Sequence, residues 1–270
     1  MRWIVAVIAA VAIILAAAIA VAGPGARLGL WDYGVGLQII RAVAAPKPIV
    51  GGLALSPLFT AAALALLAVI AAAARKQKRQ AGLALIAALL AGGAAVVPIK
   101  MRADFEANPF IHDITTDFDD PPAIVAAADS PRKNPPDYRG GDTVPNDASG
   151  LTVAEAQKQA FPDIAPIVVE ADLARAAAAA ADAVRSMGME ILADGPAGAL
   201  SGSGWRIEAV ATSFWFGFKD DFIVRLTPEN GRTRVDIRSK SRVGGSDLGA
   251  NARRVREFSK RLRARFEPAG

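Results

Sequence analysis

Apolar residues fall in three long runs over the first hundred positions and in short alternating or helical patterns after them. Residues 3–22 contain no charge, and at about 1.5 Å per residue such a helix spans roughly 30 Å, the thickness of a hydrocarbon core. The second run covers residues 49–74. Ser56 and Pro57 interrupt its start, so the pattern predicts a helix over 58–74. The third covers 81–99 and is expected to end near Pro98. All three are rich in alanine. Ala84, Ala88 and Gly92 recur at four-residue spacing, which would let helices approach closely, although alanine-rich composition alone also produces such spacings. Ala20-Val21-Ala22 behind Arg2 fits a small-x-small cleavage site, but the run is longer than a usual signal-peptide core, which favours an uncleaved span.

After residue 100 the pattern changes. Residues 100–163 hold seven prolines between 109 and 145, with a short strand expected at 110–116, a helical turn or two at 122–128 and a short helix at 152–160. This acidic, proline-rich connecting segment is expected to wrap the domain that follows. From 164 to 270 the periods become regular. A short strand at 167–169 precedes a helix at 171–187, where Leu173, Ala177, Ala180, Val184 and Met187 share a face and Gly188 stops the turn. Strands are predicted at 189–194, 198–203, 205–213, 221–227 and 232–240, with Asn230-Gly231 as the hairpin turn between the last two. Trp205, Ile207, Ala209 and Ala211 alternate with Arg206, Glu208 and Val210; Val235 and Ile237 alternate with Arg234, Asp236 and Arg238. Period-two alternation predicts a half-buried antiparallel sheet. A final helix over 247–266 carries the stripe Leu248, Val255, Phe258, Leu262 and Phe266, with Ser246 as its expected N-cap. The fold class is therefore α+β: three transmembrane helices over 1–99, then an antiparallel sheet domain with two packed helices.

Charge refines this picture. The chain of 270 residues is +5 with a pI near 9.7. Eight of the 31 basic residues and only one acid lie in 1–99, leaving 23 basic and 25 acidic residues, a net charge of −2, for the remainder. The basic excess thus belongs to the membrane flanks and gives no reason to expect a nucleic-acid partner. Arg75, Lys76, Lys78 and Arg79 crowd the turn between the second and third runs. By the positive-inside rule that turn stays cytoplasmic, so the amino terminus lies inside and everything past residue 99 outside, which in a bacterium with an inner membrane is the periplasm. Trp31 and Tyr33 sit where an interfacial aromatic belt would place them. There is no cysteine, which excludes disulfides, thiolate metal sites and a cysteine nucleophile.

Several segments resemble one bacterial family. They are Ile111-His-Asp-Ile-Thr-Thr-Asp117, Phe161-Pro-Asp-Ile-Ala-Pro166, Arg206-Ile-Glu-Ala with Phe216-Gly-Phe-Lys-Asp-Asp221, and Ser241-Arg-Val-Gly-Gly-Ser-Asp-Leu-Gly-Ala-Asn-Ala-Arg-Arg254. Together, over about 105–266, they resemble DUF1499, a family of unknown function. The resemblance implies a membrane-associated or exported domain and supplies no catalytic residue and no cofactor.

Three constellations are candidates for chemistry. His112, the single histidine, lies with Asp113 and Asp117 in an acidic stretch suited to a divalent cation or to acid–base work, or to ordinary turn formation. Lys219 and Asp220 follow an aromatic run, 214–218, as a ligand mouth or a solvated turn. Arg238, Lys240, Arg242, Ser246 and Arg254 surround a Gly244-Gly245 turn that opens the last helix, an arrangement suited to an anion or to capping and ion pairing. Residues 100–147 carry ten acids against five bases and 219–270 fourteen bases against seven acids, so the two stretches are suited to dock on each other. No serine-nucleophile elbow and no dinucleotide fingerprint is present. These features lead to the expectation of a non-enzymatic binding or scaffold module, held in a lipid bilayer, whose partner is an anion, a lipid head group or an envelope protein. The runner-up is an envelope hydrolase using His112 with Asp113 or Asp117.

Overall fold

Small residues face inward and large ones outward in the first part of the chain, the reverse of a helix bundle in water. The computed structural model describes residues 2–48, 54–145, 147–197 and 204–267. It divides into a helical unit, residues 1–103 with Phe214–Gly217, and a second unit made of 104–213 and 218–270. The helical unit holds α1 (Arg2–Arg27), α2 (Tyr33–Ala44), a two-stranded ribbon of β1 (Lys47–Pro48) and β2 (Ala54–Leu55), α3 (Pro57–Ala74) and most of α4 (Lys78–Ala107). Val5, Ala9, Ala12, Ala16 and Ile19 form the buried stripe of α1, Leu58, Ala61, Ala65, Ala68 and Ala72 that of α3. Ile14, Leu67, Ile70 and Leu89 are 59–67% exposed. Alanine at the contacts lets backbones approach, and the outward apolar side chains leave a surface suited to lipid. Three of these helices, α1, α3 and α4, are long and apolar enough to cross a membrane, which gives membrane association.

The helix boundaries differ from expectation in instructive ways. Helix α1 runs on through Gly23-Pro24-Gly25, because Pro24 forfeits one donor but its carbonyl still accepts from Leu28 N at 2.9 Å. Helix α4 likewise passes Pro98 and continues to Ala107. Its buried face is Ala84, Ala87, Ala91 and Ala95, whereas Ala88 is half-buried and Gly92 exposed; the exact four-residue spacing drifts off the face that the 3.6-residue turn keeps buried. Residues 33–44, which lie between the first two apolar runs, form α2, capped by the Asp32 carboxylate on Gly34 N. Helix α3 begins at Pro57 behind a Ser56 N-cap, as proline's preset φ and missing N–H allow.

In the second unit, β3 (Asp113–Thr115), β4 (Ile167–Val169), β5 (Glu190–Pro196), β6 (Trp205–Thr212), β7 (Lys219–Glu229) and β8 (Arg232–Ser241) build one antiparallel sheet. Its order is β3-β8-β7-β6-β5, with β4 also paired to β8. The α+β class is thus present. Asn230 and Gly231, both at positive φ, make the β7–β8 turn. Helices α6 (Leu173–Ser186) and α7 (Ala250–Arg263) cover the face of Ile207, Phe222, Val224, Val235 and Ile237. Phe222 and Phe258 meet edge to face at 5.2 Å at the centre of this core. Helix α5 (Val153–Ala160) carries a capping box from Thr152 and Glu155. Residues 122–125 are irregular and 126–129 form a turn, not a helix, and the strand expected at 198–203 lies outside the described residues.

The opposite face of the sheet departs most from the sequence reading. Alternation predicts it wet, yet Glu208, Asp221, Asp236, Arg238 and Lys240 are all 1–2% exposed. Residues 117–138 cover them. Glu208 accepts from the backbone N–H groups of Val125 and Ala127 at 3.0 and 3.3 Å, and Asp117 accepts from Arg225 and Arg234 at 3.1 and 2.9 Å.

Candidate functional site

Strand β8 places Asp236, Arg238 and Lys240 on that covered face, and register sets their neighbours. Lys240 stands opposite Asp113 on one side and Asp221 on the other. The Asp113 carboxylate accepts Arg238 bidentately, Nε at 2.9 Å and Nη2 at 2.8 Å, and Lys240 Nζ at 2.9 Å. Lys240 Nζ also donates to Asp137 O at 2.7 Å, and Arg238 to Pro136 O at 2.9 Å. The Arg238 guanidinium lies 5.4 Å from the centre of the Tyr138 ring. Next along the face, Asp221 accepts Arg242 at 2.7 Å and lies 2.9 Å from Arg132 Nη2. Arg132 Nε and Nη1 are buried without a hydrogen-bond partner. Asp113 and Asp221 therefore sit among four cations, Arg132, Arg238, Lys240 and Arg242. Burial lowers the Lys240 pKa, the charges of Arg238 and Arg132 lower it further, and Asp113 opposes both.

Beside this cluster lies a cavity of about 230 Å³. Phe110, Ile111, Pro135, Pro145 and Val153 form its apolar wall; His112, Asp113, Asn134, Arg139, Asp142, Thr143 and Lys240 supply its polar groups. Asn134 is held by its side-chain amide, which donates to Ser241 O and Gly244 O at 2.9 and 2.8 Å. Gly245 completes the lining; a Cβ there would come within 2.7 Å of the Phe110 ring. His112 is half-buried, with Nδ1 3.2 Å from Gly245 O. A carbonyl only accepts, so Nδ1 carries the proton and Nε2 is left as the acceptor of the neutral ring. Burial, the largest influence, pushes the His112 pKa below its ordinary value. The ring is therefore neutral at neutral pH.

A family model described as a protein of unknown function, DUF1499, matches residues 113–262. The chain belongs to the DUF1499 family. The matched region begins at β3 and ends in the last turn of α7, and so holds most of this constellation; α1–α4 lie outside it. No curated protein and no solved structure matches the chain.

The residues singled out in the sequence of this DUF1499 protein are dispersed. His112, Asp113 and Lys240 share the cavity, but Arg238 turns its guanidinium to Asp113 behind it. Arg242 is spent on Asp221. Arg254 donates to Asp220 at 2.7 Å and to Ser239 Oγ at 2.9 Å, closing a second buried polar group with Asn251. The arginines around the Gly244-Gly245 turn thus face internal carboxylates, the ion-pairing alternative. Ser246 is not the N-cap of α7: that position is Gly249 at φ +75°, and Ser246 Oγ accepts from Leu248 N. The first turn is satisfied by Asp247, whose carboxylate accepts from Gly249 N and Asn251 N at 2.8 Å. Lys219 is exposed, while Asp220 is buried. Asp117 belongs to the Arg225–Arg234 group, so His112, Asp113 and Asp117 do not converge. Among the described residues no three acidic or histidine side chains gather to hold a metal ion. Asn134, Pro135 and Arg139, which line the cavity, and Arg132, which joins the buried cluster beside it, escaped the sequence reading, because they come from an irregular segment about a hundred residues from β8 and no periodicity marks them.

Proposed function

We propose that this DUF1499 protein is a binding module of the bacterial inner membrane, anchored by α1, α3 and α4 and carrying its sheet domain on the periplasmic side. Its ligand is a small anion with an apolar portion, of the phosphate or carboxylate class. One observation carries this reading: a cavity with an apolar wall ends on Lys240, in a buried group where cations outnumber carboxylates. An anion entering there lies against Lys240, relieves the repulsion that Arg238 and Arg132 exert on it from behind the wall, and at the exposed rim competes with Asp142 for Arg139, the two standing 3.8 Å apart. The volume of about 230 Å³ lies below the roughly 300–1,000 Å³ of sites for drug-sized ligands, which favours a head group or a short-chain molecule. For the hydrolytic alternative the geometry supplies no oriented dyad: His112 Nδ1 faces a carbonyl, and both Asp113 oxygens are engaged by Arg238 and Lys240.

The test is calorimetric titration of the full chain in bilayer nanodiscs with hexyl phosphate, inorganic phosphate and hexylamine. Hexyl phosphate is expected to bind more tightly than inorganic phosphate, hexylamine not at all. Lys240→Met is expected to abolish binding while the fold survives, since Arg238 keeps Asp113 paired bidentately. Equal binding of the amine, or unchanged affinity in Lys240→Met, sinks the reading. Inorganic phosphate binding as tightly as hexyl phosphate would point to a free anion as the ligand and remove the role assigned to the apolar wall.

A further inference from the structure

The aromatic run between β6 and β7 is not used by the cavity. Its first four residues, Phe214–Gly217, belong to the helical unit. Pro24 lies inside α1 and has no N–H, so the Ala20 carbonyl four residues back loses its helical partner. Trp215 Nε1–H donates to that oxygen at 3.4 Å. Half a turn further on, Trp31 Nε1–H donates to Ala22 O at 3.1 Å. Glycine makes room for the first indole: a Cβ at Gly23 would stand 2.7 Å from the Trp215 ring. Arg27 donates to the Phe214 carbonyl and lies 5.9 Å from the centre of its ring. The Phe214 side chain itself is 91% exposed.

A backbone carbonyl released by proline near the end of a membrane helix needs a donor, and indoles and arginine are the side chains that the lipid–water interface accommodates. We propose that Phe214–Gly217 is a second membrane anchor. Trp215 supplies the hydrogen bond that Pro24 removes, and Phe214 enters the bilayer interface at the level of the last turns of α1. The occupant of this apolar surface is lipid, because Trp215 and Phe214 are bonded to Ala20 and Arg27 near the end of α1, a helix long and apolar enough to cross a membrane.

The absence of cysteine makes a direct test available. A nitroxide on Phe214→Cys, in the full chain reconstituted in phosphatidylethanolamine–phosphatidylglycerol nanodiscs, reports its surroundings by collision with oxygen, which concentrates in lipid, and with a water-soluble nickel chelate. Asp182→Cys, on the exposed surface of α6, is the aqueous control. The logarithm of the oxygen-to-nickel ratio is expected to be positive at position 214 and negative at 182. A negative value at 214 overturns the anchor. Adding Trp215→Phe, which keeps a ring but removes the donor, is expected to shift the value at 214 toward that of the control; no shift removes Trp215 from the proposal while leaving the Phe214 result to stand on its own.

Discussion

Asp113 shows how much depends on one buried carboxylate. It is 4% exposed and holds two cations that are each 2% exposed. Removing its charge leaves Arg238 and Lys240 without a counter-ion in a low-dielectric interior. Breaking a buried pair of this kind costs about 3–5 kcal/mol. Asp113→Asn is therefore expected to lower the unfolding free energy of the full chain, measured by denaturant titration, by that amount, whereas a loss below about 1 kcal/mol, the scale of an exposed ion pair, would show the group to be solvated. His112 makes a different prediction. In the unfolded chain its ring takes up a proton near its ordinary value of 6.5; in the fold, burial holds the value lower. Between those two values the unfolded chain binds more protons, so acidification favours unfolding, and the stability present above 6.5 declines as pH falls toward the folded value. His112→Asn should thus lose less thermal stability than the parent between about pH 7 and about pH 5. An identical or steeper loss would assign that pH dependence elsewhere.

At the scale of elements, apolar periodicity located α1, α3, α4, α6 and α7, and alternation located β6–β8. The errors fall at ends, in irregular backbone and at α2, a 12-residue helix between the apolar runs. Pro24 and Pro98 are weaker stops than a local rule suggests, because each removes one donor from helices of 26 and 30 residues while the rest of the ladder holds. The start of α7 moves to Ala250, because Asp247 reaches two amides where Ser246 reaches one. Burial pushes the Asp247 pKa upward even so. In the helical unit the inner face of α4 consists of alanine, and Ala84, fully buried, packs with Val5 and Ala68. Leucine at position 84 would have to displace its neighbours. Ala84→Leu is expected to cost about 1–3 kcal/mol of thermal stability, while Gly92→Leu, at an exposed position of the same helix, is expected to cost less. Melting both variants in the same detergent discriminates a packed face from mere composition.

For the whole molecule, the proposed orientation rests on Arg75, Lys76, Lys78 and Arg79 between α3 and α4. It predicts that alkaline phosphatase fused to the carboxyl end is active and that green fluorescent protein at the same position is dark; the opposite pair would place the sheet domain in the cytosol. Three membrane-length helices, the α+β class and the family were all legible from the chain, since each depends on local hydrophobic period or on contiguous residues. The candidate site was legible only in part: His112, Asp113 and Lys240 were noticed, but not that they share a cavity, nor that Arg242 and Arg254 are consumed by Asp221 and Asp220. Alternation along β7 and β8 determined which side chains share a face. It did not determine whether that face meets water, because Arg238 and Lys240 read as solvent-facing until residues 117–138 fold over them. Local sequence sets the direction of a side chain through backbone geometry; only tertiary structure, by bringing distant carbonyls and carboxylates to it, decides whether its charge is buried, paired or open to a ligand.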